Sequence, residues 1–223
     1  MGNGMDKIVS GLYLGNFRDA KDVEKLAENK VTHVIALHDN AKPLLDHLQY
    51  KCIQVADSPE EDLLPYFEEC IDFIHECRVN NGCCLVHCIA GVSRSTTIVA
   101  AYLMAITNLD WRDTLRAIKV VRMVANPNYG FKRQLQDFYN KELRKIKTKL
   151  QIRYPELDFS GEEDAYLKSL LAKNQNSPDG HVSARDDEDD VLNFYHERQL
   201  RKKTEEKTEK YDQQNTDEGG STS

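Results

Sequence analysis

Nowhere in the 223 residues does an apolar run approach the ~18 residues that a membrane-spanning helix requires, and the mean hydropathy is −0.63. The sequence therefore predicts no transmembrane helix. The opening MGNGMDK lacks an apolar core, so no secretory signal is expected either. Glycine and proline are sparse, at 11 and 6 residues, and no internal repeat is visible; the length suits one domain with an appendage. Cysteine is confined rather than scarce: Cys52, Cys70, Cys77, Cys83, Cys84 and Cys88 share one central stretch. A disulfide framework would be spread over a smaller secreted domain, so reduced thiols in the cytosol are the expectation. Positive charge is short at the far end. From Gln151 onward 18 Asp and Glu face 10 Lys and Arg, whereas residues 1–150 hold 19 and 20. Such a tail suits neither nucleic acid nor anionic lipid, while the near-neutral front can hold an anionic ligand.

Two regions follow from the patterning. Residues 1–150 read as an α/β domain, with short β-branched strands expected over 8–14, 31–37, 52–55 and 84–86. Helical patterns alternate with them over 20–28, 66–78, 96–107, 111–122 and 131–146. In the second, Phe67, Cys70, Ile71, Ile74 and Cys77 form one buried stripe. The helix over 96–107 is apolar nearly all round and is expected at the centre. A three-layer fold results, a mostly parallel sheet flanked by helices. Residues 151–223 read as an acidic, largely disordered tail, because few aliphatic side chains remain to offset the entropy of ordering. An isolated charge-laced helix is possible over 191–210, with Glu206 and Lys210 one turn apart.

The chemistry lies in Leu85-Val86-His87-Cys88-Ile89-Ala90-Gly91-Val92-Ser93-Arg94-Ser95. A buried strand ends at His87 and a buried helix begins near Ser93, with Cys and Arg separated by five residues. A loop of this kind wraps its N–H groups around one point, where the next helix presents its positive end. Gly91 permits the tight path. The cradle formed by Ile89, Ala90, Gly91, Val92, Ser93 and Arg94 fits a tetrahedral dianion such as a phosphoryl group. Cys88 at its base should ionise easily and act as an in-line nucleophile on phosphorus. Arg94 offers a planar fork for two equatorial oxygens. Ser95 can donate to the sulfur when it leaves, and His87 is expected to orient the loop. Arg122 reads as a solvated helix end. Cys and Arg at this spacing arise often by chance; the full string between buried strand and buried helix does not.

A phosphoryl transfer also needs an acid, then a base. Asp57 is the candidate, since it follows the strand at 52–55 and strand ends on one side of a sheet converge on one crevice. The alternative is that it only caps the turn Asp57-Ser58-Pro59. Asp39 is a rival carboxylate, although residues 38–41 read more as a cleft wall. Asn128, in Asn126-Pro127-Asn128, could brace the Cys88 loop or cap the final helix, and the two roles are compatible. Cys52, Cys83 and Cys84 are candidates for a reversible disulfide with oxidised Cys88, with packing as the plainer role of each.

His87–Ser95 resembles the HCxxGxxR[S/T] signature of cysteine-dependent protein tyrosine phosphatases. Ala100-Ala101-Tyr102-Leu103-Met104 and the NPNxGF stretch look like the dual-specificity branch. The opening MGNGM…GLYLGNF and Ala56-Asp57-Ser58-Pro59 look most like its small atypical, N-myristoylated members associated with JNK signalling. Over residues 1–150 the resemblance implies the protein-tyrosine-phosphatase-like fold, Cys88 as nucleophile, Arg94 as phosphate binder and Asp57 as general acid. It implies no metal or other cofactor, and phosphotyrosine and phosphoserine or phosphothreonine proteins as substrates, MAP kinase pathway components among them. A monomer is expected, cytoplasmic with peripheral plasma-membrane association and a nuclear fraction, through acylation of Gly2. In the acylation pattern Met-Gly-x-x-x-Ser/Thr, however, Asp6 occupies the hydroxyl position.

Three other functions share parts of this pattern. A phosphoinositide or RNA 5′-triphosphate phosphatase should carry Lys or Arg in the loop, where Ile89, Ala90 and Val92 stand. A non-catalytic phosphate-binding adaptor should have lost the nucleophile, acid or arginine. A rhodanese-like sulfur carrier fits the Ser-Arg-Ser exit less well.

Overall fold

A computed structural model describes residues 4–155 and 160–175. Strands β1 (Asp6–Val9) and β2 (Leu12–Gly15) form a hairpin, followed by a 3-10 turn at Asp19–Lys21 and helix α1 (Val23–Glu28). Then come β3 (Val31–Leu37), β4 (Gln49–Ile53), α2 (Phe67–Val79), β5 (Cys83–Cys88) and α3 (Arg94–Ile106). Four more helices follow: α4 (Trp111–Val121), α5 (Tyr129–Lys141), α6 (Leu143–Arg153) and α7 (Ser160–Gln175). The sheet order is β1-β2-β5-β3-β4, and every neighbouring pair except β1–β2 is parallel. This is the mostly parallel sheet with flanking helices that the alternation implied.

Side chains alternate between the two faces of the central strand, as a two-residue period requires. Cys84, Val86 and Cys88 enter the large core with α2 to α6, while Leu85 enters a smaller cluster with Tyr13, Leu26 and Val34. Every residue of α3 is buried, so this helix is fixed against the sheet. In register, Gly15 lies beside His87, and Leu37 beside both Cys88 and Ile53. The four parallel strands therefore end together. The segments that follow them, beginning at Asn16, His38, Gln54 and Ile89, gather at one edge, the usual crevice of a parallel sheet.

Four local expectations change. The strand expected over 8–14 is two strands, because the chain reverses at Ser10–Gly11. The helix expected over 20–28 is divided at Asp22, whose side chain accepts from Lys25 N–H and caps α1. The helix expected over 131–146 breaks at Glu142. Phe131, Leu135 and Phe138 are buried at spacings of four and three, but the next buried residue is Leu143, five further on. A straight helix would carry Leu143 off the core face, so the chain turns and Leu143, Ile146 and Leu150 are recovered. Finally, part of the expected tail is ordered. Leu167 of α7 joins the large core, Leu170 and Leu171 pack against it, and Glu163 pairs with the buried Arg78. The helix expected over 191–210 lies outside the described residues, as does Gly2.

Candidate active site

The loop between β5 and α3 closes around one sulfur. Gly91 N–H and Ser95 Oγ–H each donate to Cys88 Sγ at 3.2 Å, and the backbone amides of Val92 and Ser95 also favour its thiolate form. Ser95 N–H is free for this because it belongs to the first turn of α3, where backbone donors lack helical partners. The Ser93 hydroxyl does not cap that turn; it accepts instead from Asn128 N–H at 3.0 Å. Burial alone would push the Cys88 thiol up. The Ser95 hydroxyl and the three amides outweigh burial and hold it below its ordinary value. Cys52, Cys70, Cys77 and Cys84 are all pushed up, burial being the largest cause for each. Cys88 differs from them in having donors enough to outweigh burial; Cys77 has a single hydroxyl neighbour, Thr32 Oγ1 at 3.7 Å, and its thiol is still pushed up.

Arg94 opens α3, and its guanidinium is buried beside the cradle. Nη1 donates to Val55 O at 3.0 Å, while Nε donates to no acceptor among the described residues. Both candidate carboxylates reach it: Asp57 Oδ2 lies 3.8 Å from Nε and Asp39 Oδ2 3.8 Å from Nη1. They are held differently. The Asp39 side chain is 67% exposed and that of Asp57 35%. Asn128 Nδ2 donates to Asp57 Oδ1 at 2.9 Å. The Asn128 side chain thus reaches Asp57 rather than the Cys88 loop, which it meets through its backbone N–H at Ser93 Oγ, while its Oδ1 accepts from Phe131 N–H and caps α5.

The first half of α5 seats the whole Asp57 segment. Besides the Asn128 bond, Gln134 Nε2 donates to Glu61 O at 2.8 Å, and Gln134 Oε1 accepts from the amides of Leu63 and Leu64. Between them, Gly130 lies so close to Pro59 that a Cβ on it would fall 2.0 Å from the Pro59 carbonyl oxygen. These contacts bridge some seventy residues of chain and leave no trace in local sequence pattern.

His87 is buried, with Nδ1 3.4 Å from the Cys88 carbonyl oxygen and rings of His38 and Phe17 nearby. Burial lowers its pKa to about 4, so the ring is neutral near pH 7 and suited to orientation rather than proton transfer. Ile89 is half exposed at the rim. Among the described residues no group of three or more His, Cys, Asp or Glu side chains is placed to hold a metal ion.

One expectation fails here, and one lesser alternative does not fit. Arg122 is not a solvated helix end: it is 1% exposed, and Nε donates to Gly91 O at 2.8 Å while Nη1 donates to Asp6 Oδ2 at 2.6 Å. The signal lay in the spacing, because Thr114, Ile118 and Arg122, the residue that ends α4, follow one another by four on its buried side. The disulfide candidates are also poorly placed. Cys83 and Cys84 precede Cys88 by five and four residues on one strand, which puts their Cα atoms roughly 13 Å or more away, well beyond the ~7 Å a disulfide spans. Cys52 pairs with Ala36, which pairs with His87, so two strand spacings, about 9–10 Å, intervene.

A thiol held low inside a ring of amides at a helix N-terminus, faced by an arginine and carboxylates, is the equipment of a cysteine-based phosphate monoesterase. Residues 12–141 match the family model described as "Dual specificity phosphatase, catalytic domain". The chain is 52% identical over 171 residues to Dual specificity protein phosphatase 15 of Mus musculus, covering 77% of this chain and 72% of that protein. It is 50% identical over 172 residues to Dual specificity protein phosphatase 22 of Homo sapiens, covering 77% and 92%. The crystal structure of DUSP15 superposes with a TM-score of 0.68 at 53% identity, over 70% of this chain and 100% of that one. The chain belongs to the dual-specificity phosphatase family and is a protein phosphatase, related to its small atypical members.

Proposed function

We propose that the enzyme cleaves phosphotyrosine and phosphoserine or phosphothreonine esters through a cysteinyl-phosphate intermediate. The observation that carries this is the Cys88 sulfur, held below its ordinary pKa by the Ser95 hydroxyl and three amides despite near-complete burial. The thiolate attacks phosphorus in line, and the P–O bond to the substrate oxygen breaks as the S–P bond forms. The amides of the loop and Arg94 stabilise the equatorial oxygens, Nε being a buried donor open to them. Asp57 in its acid form gives a proton to the departing oxygen; as a carboxylate it then takes one from the water that attacks the intermediate. The S–P bond breaks, inorganic phosphate leaves, and Ser95 stabilises the returning thiolate. Asp57 is preferred to Asp39 because it is the less exposed and is fixed by Asn128. Cys88→Ser should abolish turnover while keeping phosphopeptide binding, and residual activity within tenfold of wild type rules out covalent catalysis.

The finer assignment, action on MAP kinase (JNK) pathway phosphoproteins, is supported by the resemblance of the N-terminal and Ala56–Pro59 stretches to the JNK-associated members. Trapping with a Cys88→Ser/Asp57→Ala double variant in stressed cells tests it, and capture of no component of that pathway sinks it. Acylation of Gly2 belongs to the same proposal; one such chain gives only marginal membrane attachment. An N-terminal peptide from eukaryotic cells without the acyl mass removes it.

A further inference from the structure

Around the outside of the phosphate-binding loop, carbonyl oxygens are held by three groups from two other segments. Phe17 N–H donates to Ile89 O at 3.3 Å, Asn126 N–H to Val92 O at 2.9 Å, and Arg122 Nε to Gly91 O at 2.8 Å. Of these only Arg122 acts through a side chain, and it is charged. We propose that Arg122 is a positioning residue for the phosphate-binding loop, and that through it the N-terminal segment 4–6 sets the geometry around Cys88.

The reasoning starts from the peptide group. It is planar and here always trans, so its C=O and N–H point in opposite directions. The peptide whose oxygen Arg122 holds is Gly91–Val92, and its N–H is that of Val92, one of the amides that favour the Cys88 thiolate. Fixing the oxygen outward aims the hydrogen inward. The bond also polarises that peptide and strengthens its N–H as a donor. Local preference does not maintain this arrangement, because Gly91 has φ of +66° and glycine carries no side chain to hold it there. The space is filled from outside instead: a Cβ on Gly91 would fall 2.5 Å from both Arg122 Nη2 and Gly15 O.

Arg122 is in turn held from the other end of the chain. Its Nη1 donates to Asp6 Oδ2 at 2.6 Å and to Gly4 O at 3.1 Å. A guanidinium that is 1% exposed needs a counter-charge, and Asp6 supplies it. Asp6, which sits at the hydroxyl position of the acylation pattern, thereby has a reason of its own to be acidic. Displacing segment 4–6 would leave a buried charge unpaired and release the grip on Gly91.

The inference rests on Cys88 as the reactive group, and its test reads Cys88 without requiring turnover. The full chain is prepared as Arg122→Met, Arg122→Lys and Asp6→Asn, with folding followed by circular dichroism. Each is treated with iodoacetate across pH, and modification of Cys88 is followed by peptide mass. In Arg122→Met the pH midpoint of alkylation should rise by about one unit, and kcat/KM on an aryl phosphate should fall roughly 10–100-fold. Arg122→Lys should recover part of both losses. Asp6→Asn should move both the same way by less, and adding it to Arg122→Met should add little, since the two act through one strut. A folded Arg122→Met protein with a lowered melting temperature but an unmoved alkylation midpoint would reduce Arg122 to a structural residue. Where Arg122→Met does not fold, Asp6→Asn decides, and an unmoved midpoint there overturns the proposal. Should Cys88→Ser retain turnover, the nucleophile assignment fails, while the alkylation profiles still report on Arg122.

Discussion

Asn128 Nδ2 donates to Asp57 Oδ1 at 2.9 Å, across 71 residues of chain, while the backbone amide of the same residue donates to Ser93 Oγ at 3.0 Å. The Asp57 segment, the loop around Cys88 and the start of α5 thus meet at one asparagine. A carboxylate that must reach a leaving oxygen benefits from such a fixture, because a misplacement of about 1 Å can cost roughly 10²-fold in rate.

Asn128→Ala should separate two consequences. Loss of the α5 cap costs about 1 kcal/mol of stability, read by chemical denaturation. Loss of the Asp57 bond should lower kcat much more on alkyl phosphates, whose leaving oxygen needs a proton, than on activated aryl phosphates. Asn128→Asp keeps a capping oxygen but sets a second carboxylate against Asp57. It should retain the stability and still show the selective loss on alkyl phosphates. Equal losses on both substrate types would mean that Asn128 does not act through Asp57.

Gly130→Ala tests the seat of the same segment from below. The new Cβ would fall 2.0 Å from the Pro59 carbonyl oxygen, so backbone has to move and Asp57 moves with it. Turnover of alkyl phosphates should fall about tenfold or more, with iodoacetate alkylation of Cys88 unaffected, since Gly130 touches neither the sulfur nor its donors. A change in the alkylation profile would show that the disturbance spreads into the phosphate-binding loop.

What a single sequence reveals here follows from how local the cause is. The strand at Val31–Leu37 is legible because a β-branched run of that length has few alternatives, and Cys88 to Ser95 because strand, glycine turn and helix start are contiguous. The seat of Asp57 on Gly130 and Gln134 depends on two segments meeting in space. Arg122 was hidden by its charge, which suggests solvent, although its spacing from Ile118 placed it on the buried face. In α7 the acidic start at Glu162–Asp164 similarly obscured Leu167, Leu170 and Leu171, which pack on the core.

Acidification below neutral pH should destabilise the fold through two buried histidines. His75 and His87 are both buried, and burial lowers each from the ordinary 6.5 to about 4. As pH falls through 6.5 the unfolded chain takes up these protons while the folded chain does not, so unfolding becomes more favourable. Their stabilising share is full above about 6.5, declines between 6.5 and 4, and is lost below that. Thermal melts from pH 8 to 4 should show the decline. In His75→Gln and His87→Gln, which carry no such group, the slope in that interval should be shallower. Slopes equal to wild type would place the acid sensitivity elsewhere.

Ser95→Ala addresses the sulfur directly. The hydroxyl, 3.2 Å from Cys88 Sγ, leads the influences that offset burial, so its removal should raise the pH midpoint of Cys88 alkylation. A hydrogen bond to a charged group is worth about 1.5–3 kcal/mol, which corresponds to roughly tenfold or more in the rate of a step that depends on it. The step most exposed is the second, in which sulfur departs from phosphorus as a thiolate. With an activated aryl phosphate, where the first step needs little help, Ser95→Ala should release one equivalent of phenolate rapidly and then turn over slowly. Stopped-flow absorbance reads this burst directly, and acid quenching should trap the phosphorylated Cys88 peptide. A slow, burst-free release with an unmoved alkylation midpoint would mean that the serine stabilises the sulfur in neither state, and that the three amides alone account for its reactivity.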